Sequence, residues 1–497
     1  MPTLEEVLRN LKLGSRVAED EADTLANYFV ETDQFRRLMQ GEVDVVFGPK
    51  GAGKSAIYSA LLGRDDDMFD ARVTLVAGEI PRGTPAFRDV VADPPTSEKE
   101  FTAIWKFYIL SLVSGVLDDF DIKGGSAEKV RAALAAEGLS QGPGGLRGLV
   151  QRVRGYVGRL LRPESVEGEL KIDPLTGVPV GVVGRITLGE PSADARRAGY
   201  VSADGLLQMT NEALRDAGFE VWVLFDRLDV AFAENQNLEA NALRSLFRVY
   251  LDMLGFAAVK LKIFLRSDIW RTITNEGFRE ASHITRTVAI SWDEQTLLNL
   301  VVRRLISNDH LVDFSSVDRD AVIADAREQR VWFDSLVPDQ IDSGRNPKTF
   351  EWIIGRVKDG QGIVAPREVI HLMDQAREFQ IAALERGDSP AEGGAIFGRA
   401  AFRDALPAVS KVRLEQTIFA EYPALKPYIE KLTSQKTNQS EVTLAALWQL
   451  SREETQAVAT RLVEIGFFEA RGSRSDPDYW VPFLYRPALQ MVQGTAE

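Results

Sequence analysis

The chain has 497 residues, of which 45% are hydrophobic and 27% charged, and its formal net charge is −14 at pH 7. A chain of this length and composition is expected to form about two to four globular domains. Its acidic balance disfavours a protein that coats DNA non-specifically, because neutralising phosphates requires clustered Lys and Arg.

The expected location follows from features that the sequence lacks. It has no run of about 18 apolar residues, the length needed to cross a bilayer. Its acidic start does not resemble a signal peptide, and it contains no cysteine. We therefore expect a cytoplasmic protein without a membrane span, disulfides or thiolate metal sites.

The first forty residues are predicted to form a helical segment that packs on the following domain. Positions 23 to 39 are dense in aromatic and aliphatic residues, among them the adjacent rings of Tyr28 and Phe29. This segment leads into a short β-branched run at residues 43–47, which predicts a buried strand.

The residues after that run have the complete spacing G-x-x-x-x-G-K-[ST] of a phosphate-binding loop, and a helical pattern follows. Its glycines turn backbone N–H groups toward phosphate oxygens, while Lys54 would reach the β- and γ-phosphates and the Ser55 hydroxyl would bind Mg²⁺. The sequence therefore predicts binding of ATP with Mg²⁺. Tyr28 or Phe29 is a candidate partner for the base, and plain helix packing is the alternative for both rings. The candidate nucleotide-binding residues of the loop are Gly48, Pro49, Lys50, Gly51, Ala52, Gly53, Lys54, Ser55 and Ala56.

A second strand is predicted at residues 72–77 and a buried helix at residues 101–119, followed by an insertion from about residue 120 to about residue 200. The insertion contains a basic amphipathic helix at residues 146–162 and a hairpin that pairs residues 167–172 with 178–186. The arginines of the helix have two interpretations. They form a surface for nucleic acid, membrane or a partner, or they are solvated side chains of a helix docked on the core.

Two further strands are predicted to end in charged residues. The continuous apolar run at residues 220–225 is followed by Asp226, which we expect to hold Mg²⁺ together with Ser55, because ligands sit at the carboxyl ends of parallel strands. The run at residues 259–265 is followed by Arg266, a candidate γ-phosphate sensor whose alternative role is a structural ion pair with Asp268 or Asp226. A fifth strand is predicted at residues 287–291.

The remainder of the chain is predicted to be mainly helical. Residues 293–405 form a helical lid, in which Arg367 is a candidate second phosphate sensor or an exposed helix-start arginine. Residues 406–497 show three helices and a hairpin, the winged-helix pattern, with ten Lys and Arg against eleven Asp and Glu. Because Glu453 and Glu454 open the third helix, protein contact is favoured over DNA binding.

This order of parts resembles bacterial P-loop ATPases of the AAA+/STAND superfamily, including KAP-like members. The motifs that carry the resemblance lie at residues 28–32, 48–57, 225–229, 264–269, 290–293 and 365–368. The resemblance implies an α/β P-loop NTPase core of the ASCE/AAA+ type at residues 41–292, followed by a helical lid and a winged helix. Origin-initiator ATPases share this plan without close identity in the motifs. STAND-like relatives act as signalling switches, several of them in anti-phage defence.

One departure from the resemblance concerns hydrolysis. Relatives commonly place a second acid directly after the strand aspartate, where it orients or deprotonates the attacking water, but this chain has Arg227 there. The next carboxylate is Asp229. Either Asp229 performs this role or turnover is slow.

Three hypotheses of function follow. The first is a nucleotide-dependent switch that works with a protein partner or as a homo-oligomer. The second is a DNA-dependent initiator or loader ATPase that uses the winged helix, and the third is an ATP-binding scaffold with negligible hydrolysis.

Overall fold

The computed structural model describes residues 2–15, 21, 24–80, 84–88, 97–161, 186–232, 235–275, 277–388, 391–473 and 476–496. The helices are α1 (Leu4–Asn10), α2 (Asp33–Met39), α3 (Lys54–Leu62), α4 (Asp65–Asp70), α5 (Glu98–Asp119), α6 (Gly125–Ala136), α7 (Gly145–Leu160), α8 (Ala193–Arg197), α9 (Ala203–Ala217), α10 (Leu228–Ala231), α11 (Gln236–Met253), α12 (Ser267–Asn275), α13 (Glu294–Ile306), α14 (Asp309–Ser315), α15 (Arg319–Ala324), α16 (Ala326–Leu336), α17 (Thr349–Val357), α18 (Pro366–Glu385), α19 (Arg399–Arg413), α20 (Lys426–Glu430), α21 (Glu441–Trp448) and α22 (Arg452–Glu464). The strands are β1 (Val45–Gly48), β2 (Val73–Ala77), β3 (Ile186–Thr187), β4 (Val201–Ser202), β5 (Glu220–Phe225), β6 (Val259–Arg266), β7 (Thr287–Ala289), β8 (Lys436–Gln439), β9 (Glu469–Ser473), β10 (Asp476–Trp480) and β11 (Val492–Thr495).

The chain folds into two compact units. The sheet unit comprises Asp33–Pro49 and Lys54–Ile290. The helical unit comprises Met1–Thr32, Lys50–Gly53 and Ser291–Glu497.

The sheet unit is built on five strands in the order β2-β5-β6-β1-β7. All neighbouring pairs in this sheet are parallel. β5 and β6 are almost continuously buried, as expected for a parallel sheet that is covered on both faces. The predicted α/β fold is confirmed, and β6 lies between β1, which precedes the loop, and β5, which precedes Asp226.

The core of the sheet unit is centred on α5, which packs against α7, α9 and α11. By length and composition α5 is a helix that could cross a membrane, yet 83% of its most apolar window is buried inside the protein. Its one buried cation, Lys106, pairs with Asp204 at 2.7 Å and with Asp252 at 2.9 Å. The helix therefore has the environment of a core helix.

The basic helix of the insertion is α7, and its apolar face is docked on α5. Arg152 donates to the carbonyl of Pro143 at 3.1 Å, and the Arg159 guanidinium lies 6.0 Å from the ring centre of Tyr156. This packing agrees with the interpretation of α7 as a helix docked on the core. The predicted hairpin lies outside the described residues except for Ile186, which begins β3 and pairs parallel with β4.

The N-terminal segment is helical only in part and is divided between the two units. α1 and the apolar residues Val7, Leu8, Leu11 and Leu13 belong to the helical unit, whereas α2 belongs to the sheet unit, the domain on which residues 1–40 are predicted to pack. Residues 28–32 are not helical. Tyr28 and Val30 are buried while their neighbours are more exposed, an alternation that suits extended chain and not a helix.

The C-terminal part of the helical unit has winged-helix topology. α20, β8, α21 and α22 are followed by the antiparallel hairpin β9–β10, and the sheet order is β11-β8-β10-β9. The predicted fold class, an α/β P-loop core followed by a helical lid and a winged helix, is confirmed. α19 runs through the domain boundary predicted at residue 405, and β8 and β11 escaped prediction because both are short and mostly polar.

Candidate functional site

The phosphate loop connects β1 to α3, and its glycines adopt conformations that other residues avoid. Gly51 has a φ of 82° and Gly53 a φ of 99°. The backbone conformation of Gly51 favours glycine, and a Cβ atom there would also be crowded, at 3.3 Å from the Cβ of Arg367. α3 begins at Lys54, so the unpaired N–H groups and the positive end of the helix dipole lie at the loop.

Lys54 is bound to the loop itself. Its Nζ donates to the carbonyl of Gly48 at 2.9 Å and to that of Pro49 at 3.1 Å. Burial lowers the pKa of Lys54, while the carboxylates of Asp226 and Asp229 act in the opposite direction. A bound phosphate would replace these two neutral carbonyls with charged oxygen atoms, which accept stronger hydrogen bonds from the Lys54 ammonium group.

Asp226 follows the last residue of β5 and is only 4% exposed. It accepts a hydrogen bond from the Ser55 hydroxyl. Burial raises the pKa of Asp226 to about 6, although Ser55 and Lys54 both favour the ionised form. A hydroxyl and a carboxylate held side by side fit Mg²⁺, which takes oxygen ligands and keeps its other positions for water and phosphate.

Arg227 occupies the position where relatives have a second acid, and it has a left-handed backbone with a φ of 59°. Its Nη1 donates to the carbonyl of Ile80 at 3.4 Å. Beside it lies Glu79, a buried acid that the sequence analysis missed. Glu79 accepts backbone N–H groups from Ile80 at 2.7 Å and Ala86 at 2.6 Å, and burial raises the pKa of its carboxyl group.

Glu79 was detectable by the rule that identified Asp226, because it closely follows the carboxyl end of a parallel strand, β2. Its Oε1 atom accepts both of these backbone bonds and so anchors the turn after β2.

Arg266 and Asp229 are brought together in the sheet unit. Arg266 donates to both oxygens of Asp268, at 3.1 and 2.6 Å, and its Nη1 lies 3.6 Å from Asp229. This is the structural ion pair with Asp268, the alternative role predicted for Arg266. Both residues remain candidates, but each would have to change partners to act on a nucleotide.

The candidates Tyr28, Phe29 and Arg367 lie in the helical unit. The Arg304 guanidinium covers the Tyr28 ring at 4.3 Å, and the Tyr28 hydroxyl lies 3.1 Å from that of Thr24. Tyr28 is thus buried under Arg304, an environment closer to the packing alternative than to base stacking. Phe29 and Arg367 are both half-buried, and Arg367 stands in the first turn of α18.

The middle of the loop, Lys50–Gly53, has contacts in the helical unit that the sequence did not indicate. Trp292 donates from its indole Nε1 to the carbonyl of Ala52 at 2.8 Å. Lys50 forms an ion pair with Glu421. Neither contact could be predicted from the sequence, because the partners are far apart in the chain. Neither Trp292 nor Glu421 is a charged residue that directly follows a strand.

These features define the class of fold. A phosphate loop follows the central strand β1, and a buried aspartate follows β5, with β6 between the two strands. This is the arrangement of a P-loop NTPase.

The comparisons with known proteins add no family. No protein-family model matches this chain. No curated protein matches it either.

Solved structures similar to this chain include the ORC2 protein of Aeropyrum pernix in ADPNP–ADP complexes. It is 13% identical, with 96% of this chain and 94% of that chain covered and a TM-score of 0.37. The ADP form of that protein is 13% identical over 97% and 93% of the two chains, with a TM-score of 0.31. CDC6P of Pyrobaculum aerophilum is 12% identical over 98% and 96%, with a TM-score of 0.28. Such low TM-scores carry no argument, and the assignment of fold rests on the strand order and the loop.

Proposed function

We propose that this protein binds ATP with Mg²⁺ through its phosphate loop and acts as a slow ATPase whose nucleotide state switches its conformation. The single observation that carries the proposal is the geometry around Ser55. Its hydroxyl is bonded to the buried Asp226, and Lys54 stands next to it on the loop. These are the three side chains that a triphosphate and its cation require.

In the proposed complex the loop N–H groups and Lys54 bind the β- and γ-phosphates, while Ser55 and Asp226 hold Mg²⁺. The cation, when bound, neutralises charge that develops on the phosphates during transfer. Asp226 must be ionised to do this, and the nearby Lys54 ammonium favours that form. The sheet unit thus supplies binding and orientation.

Hydrolysis is the second part of the proposal. Asp229 is our candidate for positioning the attacking water and Arg266 for contacting the γ-phosphate, but the two are paired with each other in this structure. With Arg227 in the position of the second acid, we expect turnover to be slow. A scaffold without hydrolysis is the limiting case of this proposal.

We propose a protein partner or a second copy of the chain as the target of the switch. The wing favours this over DNA, because Arg471 donates to both oxygens of Glu469, at 2.8 and 3.1 Å, and its guanidinium stacks on Trp480. Arg474, the other wing cation, lies outside the described residues. A setting in anti-phage defence rests on the resemblance alone.

Steady-state ATP turnover tests the proposal. We expect slow Mg²⁺-dependent turnover by the wild type, none above background for Lys54→Ala, and a large loss for Asp229→Ala, all unchanged by duplex DNA. Stimulation by DNA that weakens at high salt would instead support the loader. Binding of ATP without turnover would support the scaffold.

A further inference from the structure

The ion pair between Lys50 and Glu421 joins the phosphate loop to the chain segment that enters the winged helix. The Lys50 side chain is 31% exposed and that of Glu421 only 15%, so this is a partly buried pair with reduced screening by solvent. Lys50 is the third residue of the loop. A triphosphate bound in the loop would bring several negative charges to the same ammonium group and compete with the Glu421 carboxylate for it.

A turn of uncommon geometry sets the position of Glu421. α19 ends at Arg413 and continues as one π-helical stretch, Leu414–Phe419, before the chain reaches Glu421 and the 3₁₀ turn Pro423–Leu425. π-helical turns are rare and frequently stand at functional sites. This one is separated only by residues 420–422 and the 3₁₀ turn from α20, the first helix of the winged helix.

A second ion pair flanks the same turn. Arg413 donates to Glu368 at 2.9 Å, and the two side chains are 10% and 6% exposed. Glu368 follows Arg367, and a Cβ atom built on Gly51 of the loop would lie 3.3 Å from the Cβ of Arg367 and 3.6 Å from Oε2 of Glu368. The π turn is therefore flanked by two charge pairs, and each of them reaches the phosphate loop directly or through the first turn of α18.

Lys50 has room to move within the helical unit. A cavity of about 130 Å³ lies between α18, the end of α19 and the π turn, and Lys50 is part of its wall. Its lining is mixed: Arg367, His371 and Gln416 are polar, and Val412 is apolar. The ammonium group can therefore leave Glu421 without repacking the apolar core.

We propose that Lys50 and Glu421 form a charge latch in which Glu421 holds the loop lysine until the phosphates of a nucleotide take it over, which releases the π turn before the winged helix. The proposal rests on the proposed binding of ATP to the loop. It names Glu421 as a regulator of that site and the segment 414–421 as the element that reports its occupancy.

Titration calorimetry with ATP and Mg²⁺ on the full chain tests the latch. Removing the competitor in Glu421→Gln should tighten ATP binding about fivefold, the value of one ion pair of this kind. The same substitution in a Lys50→Gln background should change affinity less than twofold, because its target is gone. The matched control is Glu430→Gln, which removes an exposed pair with Lys426 at 3.7 Å in the same region and should have no effect.

Hydrogen exchange of the amides at 414–421 gives an independent readout. We expect faster exchange on adding ATP to the wild type, and equally fast exchange without nucleotide in Glu421→Gln and in Lys50→Gln. If the wild type binds ATP but Glu421→Gln leaves both affinity and exchange unchanged, the latch is wrong. A tighter affinity that persists in the double variant would also refute it, whereas a wild type that binds no ATP refutes the proposed function itself.

Discussion

Replacing Asp226 by Asn should stabilise the protein by an amount that grows with pH. The carboxyl group is 4% exposed, and its pKa is about 6 in the folded protein against 3.8 as the ordinary value. Between these values the folded state binds more protons than the unfolded state, so stability falls as pH rises through this window. Asparagine keeps the shape of the side chain and an acceptor for Ser55 but never ionises.

The shift of about two pH units corresponds to roughly 3 kcal/mol. The Asp226→Asn variant should therefore exceed the wild type by about 1 kcal/mol at pH 4.5 and by about 3 kcal/mol at pH 7.5. Urea denaturation of the nucleotide-free proteins at several pH values measures the difference. Asp216→Asn, at an aspartate that is 73% exposed, serves as the control. A difference that is constant with pH, or that shrinks as pH rises, would refute the reasoning.

Three further predictions concern the loop, the cation and the base of the sheet. The Mg²⁺-dependent affinity for ATP should fall up to about tenfold per pH unit below pH 6, because a proton competes with the cation for Asp226. Isothermal titration calorimetry at pH 5 to 8 measures this affinity, and an affinity that does not change with pH would contradict the prediction. Gly51→Ala should weaken ATP binding at least about fivefold, because alanine would strain the left-handed backbone of the loop and crowd Arg367. The control is Gly138→Ala, which has a φ of 69° and open space around it and should not change the affinity. Asp44→Asn should lower the free energy of unfolding by about 3 kcal/mol, because it leaves the Lys262 ammonium without its counter-ion. That ammonium is 1% exposed and bonded to Asp44 at 2.7 Å. A loss below about 1 kcal/mol in urea denaturation would count against a structural role for the pair.

The parts of the fold that could be predicted are those with strong local patterns. The buried helix predicted at residues 101–119 is α5, whose apolar residues form a long run and whose first turn at Glu98 is capped by Ser97. β6 was predicted within one residue, because a run of apolar residues between polar turns has few alternatives. The phosphate loop was recognisable from eight consecutive residues.

Residues whose roles depend on distant partners escaped prediction. The sequence near Tyr28 gives no indication that the distant Arg304 covers its ring. Residues 28–32, where a helix is predicted, are not helical. Arg266 was considered both as a sensor and as an ion-pair partner, and only the geometry shows it bonded to Asp268. Glu421 carries no local signal, because its importance comes entirely from its contact with Lys50.

The most direct test of the account is calorimetric titration of ATP into the purified 497-residue chain with Mg²⁺ present. We predict saturable binding at one site per chain that is weakened at least about a hundredfold in Lys54→Ala, because that change removes the charged donor to the phosphates. A folded wild-type protein that shows no saturable heat with ATP or with GTP would contradict the account. So would a Lys54→Ala variant that binds as tightly as the wild type.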